Sequence, residues 1–338
     1  MSNSTQAERI FVIGSNSFSG ASFVDYALSL GAAVVGTSRS PELAPCYLPY
    51  RWRTDVGHLS RFRFEQLDLN KDTNRIARAI DEFRPEYVIN FAAQSMVAES
   101  WLHPEHWYQT NVVANVLLHD KIRHFTFLKK YVHVSTPEVY GSCSGLVPET
   151  APLNPSTPYA ASRAACDLHL ATFLKQWKFP VVFTRAANVY GPGQQLYRII
   201  PRTVFFAKTG RRLQLHGGGH SVRSFIHIRD VADGTLRVAR QAPPGEVYHL
   251  STALNISIRE VVERICQRLG AKFSDVVEVV GERPGKDAAY LLDSSKARQT
   301  LAWKDTIPLD QGIDETIGWI EQNLDALKQT PCDYIHKL

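Results

Sequence analysis

Residues 14–20 read Gly-Ser-Asn-Ser-Phe-Ser-Gly and follow directly on a short apolar run at 10–13. Such a turn can set backbone N–H groups and a helix start against a pyrophosphate, if glycine lets the chain turn tightly and pack closely. Gly14 supplies the turn and Gly20 the close helix contact. Ser17 stands where a middle glycine is usual, and Phe18 beside it joins the same candidate set. The chemistry this points to is redox transfer with a dinucleotide cofactor. At the end of the next apolar run, 32–37, an NAD site carries a carboxylate for the ribose hydroxyls. This chain has Thr37, Ser38, Arg39 and Ser40 instead. An arginine among hydroxyls suits a ribose 2′-phosphate, so NADP is expected, with NAD as the alternative. Asp68, followed by Leu69, is placed to accept a hydrogen bond from the adenine amine; capping a helix that begins near Asn70 is the other use for that carboxylate.

These residues need a frame, and the pattern along the chain supplies one. Strand-like runs at 10–13, 32–37, 62–67, 87–91, 131–135 and 181–184 alternate with helical stretches at 21–30, 72–83, 111–125 and 158–177. Pro158 falls at the start of the last helix, where proline is tolerated. Strands alternating with helices predict an α/β fold: a Rossmann-type parallel sheet with helices on both faces, plus a smaller C-terminal substrate-binding region. Residues 1–190 form the expected dinucleotide-binding domain. Residues 191–330 mainly form the second region, with helices at 258–269 and 311–323 and chain crossing between the two. The proline-bearing loop 38–60 is long enough that service to a site is expected of it.

The totals narrow the function classes. The 38 Lys and Arg against 33 Asp and Glu leave a net charge of +5, too small an excess for 338 residues to indicate nucleic acid. The five cysteines, Cys46, Cys143, Cys166, Cys266 and Cys332, form no CxxC pair. They read as thiols of a reducing compartment, with no structural metal expected. The absence of a long apolar run predicts no membrane span and a cytoplasmic location.

Several segments fall in a recognisable order: Gly14–Gly20, Asn90-Phe-Ala-Ala-Gln-Ser95, Ser135-Thr-Pro-Glu-Val-Tyr-Gly141, Tyr159-Ala-Ala-Ser-Arg163, Asn188-Val-Tyr-Gly-Pro-Gly193 and Arg223-Ser-Phe-Ile-His-Ile-Arg-Asp230. From about residue 9 to about 323 the chain resembles the extended short-chain dehydrogenase/reductase superfamily. Within it, the chain is similar to the nucleotide-sugar 4,6-dehydratases of the dTDP-glucose and GDP-mannose types. The resemblance implies a lyase that forms a 4-keto-6-deoxy sugar nucleotide by internal hydride transfer. It also implies a homodimer paired through the helices at 111–125 and 158–177.

Matched residue by residue, Tyr159 takes the proton from the sugar 4-hydroxyl, and Arg163 stands where the family has a lysine that makes the phenol easier to ionise. Thr136 holds the reacting sugar oxygen and Glu138 removes the C5 proton. Ser95, Asn188, Arg223 and Arg283 meet the substrate, alongside Thr136 and Glu138. Tyr159 and Arg163 also touch the cofactor. Gln194, Gln195, Leu196 and Arg198 are expected on the rim. The chain departs from the pattern at Ser17, at Met96 for a common histidine, at Pro137 for the aspartate of the dTDP-glucose type, and at Arg163. A 4-epimerase, a UDP-glucuronate decarboxylase-like enzyme and a non-catalytic nucleotide-binding protein are the alternatives.

Overall fold

The computed structural model describes residues 7–54, 56–143, 145–281 and 291–337. Its strands are β1 (Arg9–Ile13), β2 (Ala33–Ser38), β3 (Phe62–Gln66), β4 (Tyr87–Asn90), β5 (Lys130–Val134), β6 (Leu146–Val147), β7 (Val181–Ala186), β8 (Asn188–Tyr190), β9 (Leu213–His216), β10 (Val222–His227), β11 (Val247–Leu250), β12 (Asn255–Ser257), β13 (Val277–Val280) and β14 (Leu291–Leu292). The helices are α1 (Phe18–Ser29), α2 (Thr73–Phe83), α3 (Pro104–Tyr108), α4 (Asn115–Ile122), α5 (Pro158–Trp177), α6 (Ile199–Lys208), α7 (Ile228–Gln241), α8 (Ile258–Arg268), α9 (Phe273–Val276), α10 (Ser295–Thr300), α11 (Leu309–Gln322) and α12 (Leu324–Lys328).

Seven strands form the main sheet in the order β11-β7-β5-β4-β1-β2-β3, and every pairing in it is parallel. The inner strands are short and apolar because both faces are covered: all of β4 and most of β1 are buried. Phe23, Val24 and Leu28 of α1 pack with Val231 and Leu236 of α7 on one face. Ile76 and Ile80 of α2, Leu118 and Ile122 of α4, and Leu170 and Phe173 of α5 fill the other. The order reverses at β1, which has β2 on one side and β4 on the other. That is the crevice where open α/β sheets bind ligands.

The second region has its own core, in which Ile200 and Phe205 of α6 meet Val261 and Ile265 of α8 and Ile313 and Ile320 of α11. It carries the small sheet β12-β10-β8 and the parallel pair β13-β9, while the pair β14-β6 packs with Val139, Tyr140 and Ala164. Yet β11, α7 and part of α10 belong to the first body: β11 lies beside β7 in the main sheet, and Ala297 and Leu301 join the core beneath α7. β11 and α7, late in the chain, thus pack with the sheet of the early strands.

The helix at 158–177 has the bounds its residues predict. Thr157 caps its first turn by accepting from the Ala160 N–H, and Lys178 ends it in the left-handed region at φ 54°. The stretch expected as a helix at 111–125 is different. The chain runs from α3 through a π-helical turn at Gln109–Ala114 into α4, which stops at Ile122. Asn115 explains the widened turn, since its side-chain amide donates to the Thr110 and Asn111 carbonyls. Strands β6 and β8 to β14 were not among the expected elements, nor were α3, α6, α7, α9, α10 and α12; all of those strands but the six-residue β10 run only two to four residues, too short for a periodic signal.

Candidate functional site

Gly14 lies at φ +83°, and a Cβ there would stand 2.7 Å from the Ala92 nitrogen; one on Gly20 would meet the Gly14 carbonyl oxygen at 2.2 Å. Both glycines are therefore demanded by close backbone approach. Ser17, standing where a middle glycine is usual, builds the turn. Its hydroxyl donates to the Gly14 carbonyl at 2.7 Å and accepts from the Gly20 N–H at 3.0 Å, making Ser17 the N-cap of α1. The positive end of a 12-residue helix thus opens on the crevice. Asn16 fixes the neighbouring loop, its side-chain amide donating to the Ser40 and Pro41 carbonyls while its backbone N–H donates to the Ser38 hydroxyl.

Two cavities open here. One of about 460 Å³ is lined by Gly14, Ser17, Arg39, Asp68, Leu69 and Thr110, among others. The long 38–60 loop serves it through Ser40, Leu43, Ala44 and Tyr47. The Asp68 carboxylate accepts from the Asn70 N–H at 2.9 Å, closing a turn ahead of α2, whose N-cap is Asp72 and not Asp68; Asp68 also lines the cavity. Arg39 donates from Nη1 to the Lys337 carbonyl at 3.0 Å. The second cavity, about 670 Å³, shares Ser17, Phe91, Ala93, Gln195 and Tyr197 with the first. It continues past Phe18 to Thr136, Glu138, Tyr159 and Arg163. A dinucleotide laid from one to the other fits this outline, with its pyrophosphate at the glycine turn.

The reacting group is compact. Tyr159 and Arg163 lie one turn apart on α5, while Thr136 and Glu138 flank Pro137 just after β5. Thr136 donates its hydroxyl to the Glu138 carboxylate and accepts from the Glu138 N–H. Burial first, then the Glu138 charge, push the Tyr159 phenol up to about 12; Arg163 and the Thr136 hydroxyl act in the opposite direction. Pro137 is buried and presents no acid.

Arg163 is 2% exposed. Its Nη2 donates to the Val134 carbonyl and lies 3.2 Å from His133 Nε2. Among the described residues, its Nε and Nη1 find no acceptor, although Arg163 lines the second cavity. Unsatisfied donors on a buried cation are what a ribose hydroxyl would meet. Behind it, Asp167 pairs with Arg185 at 2.8 Å and accepts from the Ser135 hydroxyl at 2.7 Å. Arg185 continues to the Tyr140 hydroxyl, which lies 2.7 Å from His249 Nε2. Burial and the Arg163 charge hold His133 well below the usual histidine range, so it is neutral. The sequence reading missed this chain of residues. It missed also Asn111, whose amide ties Gln94 to Ser162.

At the substrate end, Ser95, Asn188 and Arg223 line the second cavity. Arg223 is buried and donates from Nη1 to the Val222 carbonyl at 2.8 Å. Gln194, Gln195 and Arg198 are there too. Leu196 is not a rim residue: it is fully buried in the second core, because its aliphatic side chain packs inward while its neighbours face the cavity. Gln194 donates to the Val189 carbonyl at 2.7 Å and so braces the loop. Arg283 lies outside the described residues. All five cysteines are free. Among the described residues, one group, His103, Glu105 and His106, brings three ligand-type atoms within 4.8 Å of one another; none of the three lines either cavity.

The sequence matches the family model for GDP-mannose 4,6-dehydratase over residues 11–316. A probable dTDP-glucose 4,6-dehydratase of Sinorhizobium fredii is 31% identical over 335 residues, covering 93% of each chain. The dTDP-glucose 4,6-dehydratase of Streptomyces antibioticus is 36% identical, covering 73% of this chain and 74% of that one. The solved dTDP-glucose 4,6-dehydratase DesIV of Streptomyces venezuelae, with NAD bound, superposes with a TM-score of 0.84 at 30% identity, covering 94% of this chain and 98% of that one.

Proposed function

This chain belongs to the GDP-mannose 4,6-dehydratase family and is a nucleotide-sugar 4,6-dehydratase, and we propose that Tyr159, Thr136 and Glu138 carry its reaction. The observation that carries the assignment is their meeting beside Arg163 in the wall of one cavity, next to the glycine turn. When bound, the nicotinamide ring supplies a hydride acceptor and a second positive charge. Thr136 and Tyr159 hold the sugar 4-oxygen from two sides, and Tyr159 takes its proton as C4 is oxidised. A phenol near 12 in the bare site, with the lowering by Arg163 already included, keeps its proton at neutral pH; the added positive charge of the bound ring is what brings it toward ionisation. The 4-keto group acidifies C5. Glu138 removes that proton and delivers it to the departing C6 hydroxyl, which leaves as water, since Pro137 offers no acid; the hydride taken from C4 is then returned to C6 while C5 regains a proton exchanged with solvent, giving the 4-keto-6-deoxy product. Ser95, Asn188, Arg223 and Arg283 hold the diphosphate and nucleoside of the substrate.

Incubation with a panel of nucleoside-diphosphate hexoses, followed by mass and NMR, tests this. Loss of one water with deuterium at C5 is expected. Unchanged mass with inverted C4 would make the chain a 4-epimerase, and loss of CO2 a decarboxylase. Glu138→Gln is expected to lower elimination by about 10²- to 10⁴-fold, the range of a lost general base. Full elimination by that variant would overturn the role given to Glu138.

The finer features follow from particular residues. NADP over NAD is supported by Arg39 among Ser38 and Ser40, with no carboxylate at the end of β2; parallel titration with both dinucleotides tests it, and an NAD preference unmoved by Arg39→Ala overturns it. A homodimer is supported by exposed Tyr108, Val113 and Leu117 on the helical stretch 104–122 and by Leu168 on α5. Leu117→Glu with Leu168→Glu should sediment as a monomer where the parent sediments as a dimer. Residues 1–190 are assigned to the dinucleotide and 191–330 mainly to the nucleotide sugar. No described helix is long and apolar enough to cross a membrane; a cytoplasmic location is assigned on the free thiols.

A further inference from the structure

After α12 the chain leaves the second core and runs back across the first cavity. The Thr330 hydroxyl lies 2.9 Å from that of Tyr47, and Asp333 pairs with Arg202. The Tyr334 ring meets Tyr197 edge-on, centroids 5.5 Å apart. His336 lies flat on Trp107, 5.1 Å and 5° between the rings, and its Nε2 is 2.9 Å from Nδ1 of His106. The Lys337 carbonyl then accepts twice, from Arg39 Nη1 at 3.0 Å and from Gln94 Nε2 at 2.7 Å. Arg39 stands on the loop after β2 and Gln94 on the loop after β4. These loops form opposite sides of the crevice at the sheet's switch point, and one carbonyl joins them.

The segment roofs the cavity and does not fill it. Pro331, Tyr334, Ile335 and Lys337 line a space of about 460 Å³ that remains open beneath them to Gly14, Asp68 and Leu69. That is ample for an adenosine moiety. The roof presents apolar and aromatic surface, while the polar contacts lie at its anchors.

We propose that residues 330–337 form the outer wall of the dinucleotide site, close over the adenosine half of the cofactor and slow its departure. The proposal rests on the dinucleotide reading given above. It also suits the chemistry: internal hydride transfer regenerates the oxidised cofactor in every cycle, so turnover does not require release. Loading requires the segment to swing away, and its Tyr334 and His336 contacts are the ones to break.

The test is cofactor release from the loaded full-length protein. Bound reduced dinucleotide is chased with excess oxidised dinucleotide and its fluorescence is followed. Release is expected to be about tenfold faster in a chain ending at Gln329, equivalent to about 1.4 kcal/mol. Tyr334→Ala and His336→Ala should each accelerate it by a smaller factor, with far-UV circular dichroism unchanged. If the shortened chain misfolds, the two point variants decide the outcome. Equal rates in parent and variants overturn the proposal. So does slower release, which would mark the segment as a plug that the cofactor must expel. A parent that binds neither dinucleotide removes the underlying assignment of the site, and the wall with it; a parent that binds while the variants release at its rate removes the wall alone.

Discussion

The two ends of the long crevice are built from different material. At residues 14–20 the binding surface is backbone: two glycines without room for a Cβ, one serine cap and the start of a helix. Behind Tyr159 it is side chain: Arg163, His133, Asp167, Arg185 and Tyr140, drawn from α5, β5, β7 and the turn after β5, and almost wholly buried. A backbone site has no titrating group and is specified by the residues that leave space. A side-chain site concentrates charge where water cannot screen it, so its behaviour should depend on pH and on individual atoms.

Substitutions at each end sharpen that contrast. The largest effect is expected from Tyr159→Phe, which should cut turnover by about 10²- to 10⁴-fold through loss of the acid–base group while dinucleotide binding, read by fluorescence titration, stays near the parent value. Loss of binding as well would mean that the two ends are not separable. Arg163→Met should follow with about a 10²-fold loss, because it removes the cation and leaves the Val134 carbonyl without its donor. Arg163→Lys should recover most of that activity; a lysine variant as inactive as the methionine one would show that the fork held by His133 matters more than the charge.

Acid should act on the side-chain end more than on the glycine turn. Burial depresses His119 and His133 well below the usual histidine range and His249 to about 3. Below the unfolded value near 6.5, the unfolded chain binds protons that the folded chain refuses. Stability therefore falls as the pH drops from about 6.5 toward those lower values, by about 1.4 kcal/mol per pH unit for each histidine. Urea unfolding at pH 7.5 and 5.5 should differ by roughly 4 kcal/mol, about 1.4 kcal/mol for each of the three histidines; equal midpoints would contradict buried neutral imidazoles. Gly14→Ala should cost about 1–3 kcal/mol in strain at positive φ, with weaker dinucleotide binding and no change in that pH dependence.

The same contrast governs what could be read in the sequence. The glycine turn and α5 were legible because their signals are local: Gly14 and Gly20 six residues apart, and Thr157-Pro158 ahead of an unbroken helical stretch. The parallel sheet followed from the alternation of strands and helices. The buried network was not legible. Ser135 reaches Asp167 and Arg185 reaches Tyr140 across 32 and 45 residues, and nothing at either position marks the partner. Asn115 widening a helical turn is a tertiary outcome of the same kind. Leu196 was misplaced because it sits between polar residues that do face the cavity. The 330–337 segment was not read from the sequence at all, because Thr-Pro-Cys-Asp-Tyr-Ile-His-Lys has no periodicity and its partners Arg39, Gln94 and Trp107 lie more than two hundred residues away.

The seat of β11 beside β7 bears on how the molecule comes into being. Residues 181–186 are synthesised some sixty positions before their neighbours at 247–250. Until those arrive, one margin of the growing sheet shows bare amide and carbonyl groups to any passing chain. A gene cut after residue 190 would make that interval permanent, and its product should precipitate even though it carries every residue of the glycine turn and the reacting tyrosine.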